Sequence, residues 1–169
     1  MSSAESAAYE LQDRAALWSI GEIRARDVVD AACDALVAGL DTPALRVLAA
    51  CTRAEADYEV PELLRCALDE LGLTFYPPGS VTGQEAAALA LAGEMLAGEL
   101  SPRELAFRIH QRFGHELPVA KRLAELDDEY DILDYRGGRA PSDVDAEVTA
   151  EARRLVQCPR VSLEPTDAH

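Results

Sequence analysis

The run Ser101-Pro102-Arg103-Glu104-Leu105-Ala106-Phe107-Arg108-Ile109-His110-Gln111-Arg112-Phe113-Gly114 carries a whole helix together with both of its ends. Ser101 is a good N-cap because its hydroxyl can accept from a backbone N–H left unpaired at the helix start. Pro102 suits the first helical position, where a missing N–H costs nothing, and Glu104 sits where a capping box needs it. Leu105, Ile109 and Phe113 recur at helical spacing and make one apolar stripe, and Gly114 provides the stop.

The same grammar repeats in both directions along the chain. Ser2-x-x-Glu5 predicts a first helix with Ala8, Leu11, Ala15 and Trp18 inward. A second helix is expected from about Arg24 or Asp27 to Ala38, closed by Gly39, and Thr42-Pro43 opens a third that fades near Cys51. Thr52 to Glu59 reads as a polar turn, after which Pro61 opens a fourth helix with Leu64, Ala67, Leu68 and Leu71 as its stripe. Leu73 to Gly83 reads as a linker, with Leu73 to Tyr76 able to form a short extended piece. Thr82-x-x-Glu85 is read as the cap of a fifth helix, a seventh is expected over Pro118 to Tyr130, and Ser142-x-x-Asp145 starts the last, after the loop Arg136 to Pro141. The expected fold class is all-α: a single compact domain of seven to eight helices over residues 1–157, followed by a flexible tail over 158–169.

Residues 27–70 laid on 86–129 share a pattern, which predicts two three-helix units over 24–72 and 82–131. Ala38-Gly39 matches Ala97-Gly98, Thr42-Pro43 matches Ser101-Pro102, Leu64 matches Leu123, and Asp69-Glu70 matches Asp128-Glu129. The competing reading is that Ala-rich helices align by composition alone.

With 169 residues, 49% of them hydrophobic and 28% charged, the chain has the make-up of a globular domain. Aromatics are only 5%, so the core volume must come from Leu, Ala, Val and Ile. Sixteen basic residues against 31 acidic ones leave a net charge of −15, which disfavours nucleic acid and an anionic membrane surface and attracts basic proteins. No run approaches the length of a membrane span, and MSSAESAAYE lacks the basic and apolar regions of a signal peptide, so a cytoplasmic location is expected. Cys33, Cys51, Cys66 and Cys158 match no zinc spacing, and Cys33 and Cys66 are expected to act as small apolar residues. No cofactor is expected and no metal ligands are assigned.

Motifs for phosphate cradles, dinucleotide sites and serine hydrolases are missing, and His115-Glu116 has no second His where a zincin needs one. Arg103 and His110 lie seven positions apart on one helix, which returns them to nearly the same side. This pair resembles the R-x(4–6)-H motif of HEPN ribonucleases. The resemblance implies an Arg that binds phosphate and a His that assists attack by a ribose 2′-hydroxyl, although Glu104 stands where that family favours Asn, Asp or His. Glu125-x-x-Asp128, with Glu59-x-x-Glu62 as a second pair, is similar to the carboxylate sets of all-α nucleotide pyrophosphatases, which share a divalent cation. The ordinary reading is a satisfied edge histidine in the first case and a solvated acidic face in the second.

The sequence therefore points to an acidic protein–protein interaction module, with an immunity or antitoxin-like protein that covers a basic patch as its concrete form. The expected contact residues are Glu55, Asp57, Glu59, Glu125, Asp127, Asp128, Glu129, Asp131 and Asp134. A small helical enzyme of either type above and a self-association module are the competing classes.

Overall fold

A computed structural model of the chain describes residues 1–133, 135 and 138–157. Among these residues it is all-α. The helices are α1 (Ser3–Ser19), α2 (Ala25–Val37), α3 (Pro43–Ala49), α4 (Arg53–Glu70), α5 (Val81–Leu96), α6 (Pro102–Phe113), α7 (Lys121–Leu133) and α8 (Pro141–Gln157), with a 3-10 turn at Pro118–Ala120 before α7. No helix among the described residues is long and apolar enough to cross a membrane. The loop positions Arg136 and Gly137, the contact candidate Asp134, and Cys158 with the rest of the expected tail lie outside the described residues.

Two compact units divide the chain, one from Met1 to Leu91 and one from Ala92 onward, so the boundary falls inside α5. In the first unit, α2 packs against α1, α3 and α4 around Leu11, Val28, Leu45, Leu48, Val60, Leu64 and Leu68. Ala15, Ala32, Ala35, Ala56 and Ala67 lie between these larger side chains, and their small size lets the helix axes approach closely. In the second unit, α6, α7 and α8 pack on one another, with Leu105, Ile109, Leu123, Leu126, Val144, Val148 and Leu155 fully or almost fully buried.

Most helix ends follow from local chemistry. Ser2 and Glu5 form the expected reciprocal box, at 2.7 and 3.2 Å. Gly39, at φ +102°, ends α2 with the Leu40 N–H returning to the Ala35 carbonyl, a turn that only a residue tolerant of positive φ closes without strain. Thr42 caps α3, and the Glu70 carboxylate, brought round by α4, accepts the Ala44 N–H at 2.9 Å.

Four local expectations need correction. Thr52 to Glu59 is helical, because Thr52 and Glu55 form a capping box (Thr52 N to Glu55 Oε2, 3.0 Å) that starts α4 eight residues before Pro61. Pro61 lies within the helix on an exposed position, where the proline ring does not crowd the core. The cap of α5 is Ser80, whose hydroxyl accepts the Gly83 N–H at 3.2 Å, and Thr82 lies already inside the helix. In α8 the carboxylate that reaches back is Asp143, to the Ala140 N–H at 3.0 Å, which moves the start to Pro141. Finally, Glu104 directs its side chain to Arg108 while Ser101 alone caps α6.

The segment Leu73 to Tyr76 forms no strand, yet Thr74 is held as a strand residue would be. The Gln12 side-chain amide donates to the Thr74 carbonyl at 2.5 Å and accepts its N–H at 2.7 Å. Gly83 marks the close approach of the α5 start to the end of α1: a Cβ there would lie 2.9 Å from Ser19 Oγ and 3.1 Å from Tyr76 Cβ.

The two stretches proposed as repeats have the same helix order, α2–α3–α4 and α5–α6–α7. Their middle helices differ in length, with seven residues in α3 and 12 in α6, and only the second stretch carries a 3-10 turn.

Candidate functional site

The densest group of potentially reactive side chains lies in the second unit, where the end of α6 meets α7. His110, in the last turn of α6, brings Nδ1 to 2.9 Å from Asp127 Oδ2 and 3.7 Å from Asp128 Oδ1. His115 lies one residue past Gly114 and brings Nε2 to 3.2 Å from Asp128 Oδ2. Asp128 thus offers one oxygen to each imidazole. The two rings stand 4.9 Å apart between centroids at an angle of 55°.

Gly114 makes this meeting geometrically possible. Five positions along an unbroken α-helix would rotate His115 by about 140° away from His110. The helix instead stops at Gly114, whose φ of +56° re-aims the chain and brings the second imidazole back over α7. Burial grades across the group: the Asp127 side chain is 12% exposed, His110 29%, and His115 and Asp128 are more open. One potential ligating atom from each of His110, His115 and Asp128 lies within 4.8 Å of the others, so these three side chains can hold a metal ion. Sequence reading found His110 and the two aspartates separately and set His115 aside. The signal that joins them is a glycine stop between two histidines, followed by adjacent aspartates on the next helix.

Further along the same helix pair, Arg103 of α6 stacks over the Tyr130 ring at 5.4 Å from its centroid. Tyr130 is 3% exposed and its hydroxyl donates to Asp145 of α8. Burial, followed by the Asp145 carboxylate, pushes the phenol well above its ordinary range, so it stays protonated as a donor. Arg103 and His110 both reach α7, and each is engaged there: the guanidinium by an aromatic face, the imidazole by a carboxylate. Tyr130 and Asp145 had no role in the sequence reading.

The expected acidic contact residues divide sharply. On α7, Glu129 is ion-paired to Arg122 at 3.1 Å and to Arg139, and Glu125 lies 3.5 Å from Arg122. Glu147 of α8 meets the same two arginines, at 2.6 Å for Arg122, so this face is a mixed network of both charges. Asp127 and Asp128 serve the histidines. Asp131 is exposed.

On α4, Glu55 is used in its cap, and the hydrogen bonds from Thr52 hold its carboxyl below the usual carboxylate range. Asp57 and Glu59 are exposed and flank Tyr58, which is 85% exposed. Glu62, half of the second carboxylate pair, is ion-paired with Arg65. Beside the α4 start, Cys51 lines a shallow hollow with Arg26, Val29, Asp30 and Ala56. Desolvation, with Glu55 and Glu59 nearby, pushes its thiol up. Cys33 is exposed on α2, not buried among apolar residues as expected, because its position falls on the outer side of that helix. Cys66 is half-buried and its thiol lies toward Glu62.

No protein-family profile, no characterised protein and no solved structure matches this chain.

Proposed function

We propose that this chain is a protein–protein interaction module that receives a basic partner surface on the outer side of α4, in the manner of an immunity or antitoxin-like protein. The observation that carries the reading is Tyr58, 85% exposed between two exposed acids, Asp57 and Glu59. A tyrosine left in water contributes little to its own fold, whereas at an interface it supplies contact area at small entropic cost and is among the residues most often found at binding hot spots. The flanking carboxylates give that ring a charged rim, which favours partners bearing Lys and Arg and speeds their approach.

The contrast with α7 supports placing the contact on α4. Glu125 and Glu129 are already matched by Arg122 and Arg139, so a partner would have to displace existing ion pairs to use them. Asp57 and Glu59 carry no such engagement among the described residues. The net charge of −15 supplies the long-range attraction.

The test is retention of proteins from a native lysate of the source cells on the immobilised chain, with partners identified by mass spectrometry. A specific basic protein should be retained, should elute as salt is raised through the screening range, and should bind the Tyr58→Ala chain at least tenfold more weakly, the size expected of a hot-spot residue, about 1.4 kcal/mol or more. Asp57→Asn with Glu59→Gln should slow association and flatten the salt dependence. Equal retention by wild type and all three substitutions, or no specific retention at any salt, would refute the proposal.

A further inference from the structure

We infer that His110, His115 and Asp128 form a binding site for a divalent first-row transition metal of the zinc class. This concerns the second unit and is independent of the α4 surface. Two imidazoles and one carboxylate are the ligand types that zinc-class ions take, at about 2.0–2.2 Å from the metal. For bonds of that length in a tetrahedral shell, ligand atoms stand about 3.3–3.5 Å apart. The His115 Nε2 to Asp128 Oδ2 separation of 3.2 Å and the His110 Nδ1 to Asp128 Oδ1 separation of 3.7 Å bracket that spacing. Small rotations of exposed side chains close the rest, since one potential ligating atom from each residue already lies within 4.8 Å of the others.

Charge favours the same occupant. Asp128 and the neighbouring, mostly buried Asp127 place two carboxylates against the two rings, so a dication entering here meets compensating negative charge. Asp127 accepts at the same His110 Nδ1, so an ion taken at that nitrogen replaces this hydrogen bond, and the carboxylate stays beside the ion as compensating charge. The open side, where His115 is 42% and Asp128 47% exposed, leaves coordination positions for water or for a donor from another molecule.

The experiment is titration of the full-length chain with Zn²⁺ by calorimetry, and with Co²⁺ followed by its visible ligand-field bands, before and after alkylation of the cysteines. The expected result is one metal per chain with micromolar affinity, unaffected by alkylation, and Co²⁺ bands of the intensity that four- or five-coordination gives. His115→Ala, at an exposed position, and Asp128→Asn, at a partly exposed one, should each weaken binding by more than tenfold. Asp131→Asn, an exposed acid on the same helix, should leave it unchanged. Circular dichroism of each variant confirms that it is folded. Absence of binding at a tenfold molar excess would overturn the proposal. So would loss of binding on alkylation, undiminished binding by His115→Ala, or equal weakening by Asp131→Asn and Asp128→Asn, which would show only diffuse attraction to an acidic surface.

Discussion

Gln12 shows how much structure one side chain can carry. It is 6% exposed on α1, and its amide presents a donor and an acceptor to the Thr74 backbone, the pairing a neighbouring strand would supply. The segment after α4 crosses α1 without helix or sheet, so these two hydrogen bonds are what satisfies Thr74. Gln12→Leu keeps the volume and the burial but leaves an N–H and a carbonyl unpaired away from water. An unmatched buried group costs more than the net worth of a hydrogen bond, so the loss should be about 2–4 kcal/mol for the two groups together. Urea unfolding followed by the fluorescence of Trp18, the only tryptophan and itself on α1, reads the unit concerned. An unchanged midpoint would mean that water reaches Thr74 in place of the amide. Nothing in the local pattern marks Gln12, because a glutamine beside Leu11 looks like any polar position on an amphipathic helix. Its partner lies 62 residues away.

Helix α4 separates what the sequence makes legible at the level of the element from what it hides. Gly stops and Ser or Thr caps act within a few residues, so α1, α2, α3 and α6 were readable almost to their ends. Pro61 misled because a proline is favoured in a first turn, and the polarity of Thr52 to Glu59 hid Thr52-x-x-Glu55, a signal of the same kind as Ser2 and Glu5. The candidate metal site was hidden for a related reason. Placing His115 over α7 requires knowing where the chain turns after Gly114, which sequence periodicity cannot supply. The interior Pro61 also carries a consequence for stability. Against Ala, a proline in a helix interior costs about 3 kcal/mol, offset by up to about 1 kcal/mol from the stiffer unfolded chain. At an exposed position no packing is lost, so Pro61→Ala should stabilise the protein by about 2–3 kcal/mol and raise its melting temperature by several degrees. A lower melting temperature would show that the ring holds α4 in a bend its neighbours require.

At the scale of the whole molecule the dominant quantity is charge: 31 acidic residues against 16 basic ones, a net of −15. Two opposing effects of salt follow. Ion pairs such as Arg14 with Glu10, Arg46 with Asp41 and Arg154 with Glu151 lose strength when screened, but such pairs at a surface contribute little to begin with. The excess like charges are held closer together in the folded state than in the expanded chain and so repel more strongly there, and screening relieves that cost. Raising sodium chloride from about 0.01 M to about 0.15 M shortens the screening length from about 30 Å to about 8 Å, which removes the long-range repulsion while leaving contacts of 3 Å partly intact. The melting temperature should therefore rise with chloride over this range. Near the sequence pI of about 4.5 the gain should shrink, because the excess negative charge has been titrated away. A melting temperature that falls with salt at neutral pH would mean that the arginine–carboxylate network of Arg122, Arg139, Glu129 and Glu147 outweighs the net charge. The Arg122→Gln variant distinguishes the two cases, since it removes the central cation of that network and adds one more negative charge to the balance.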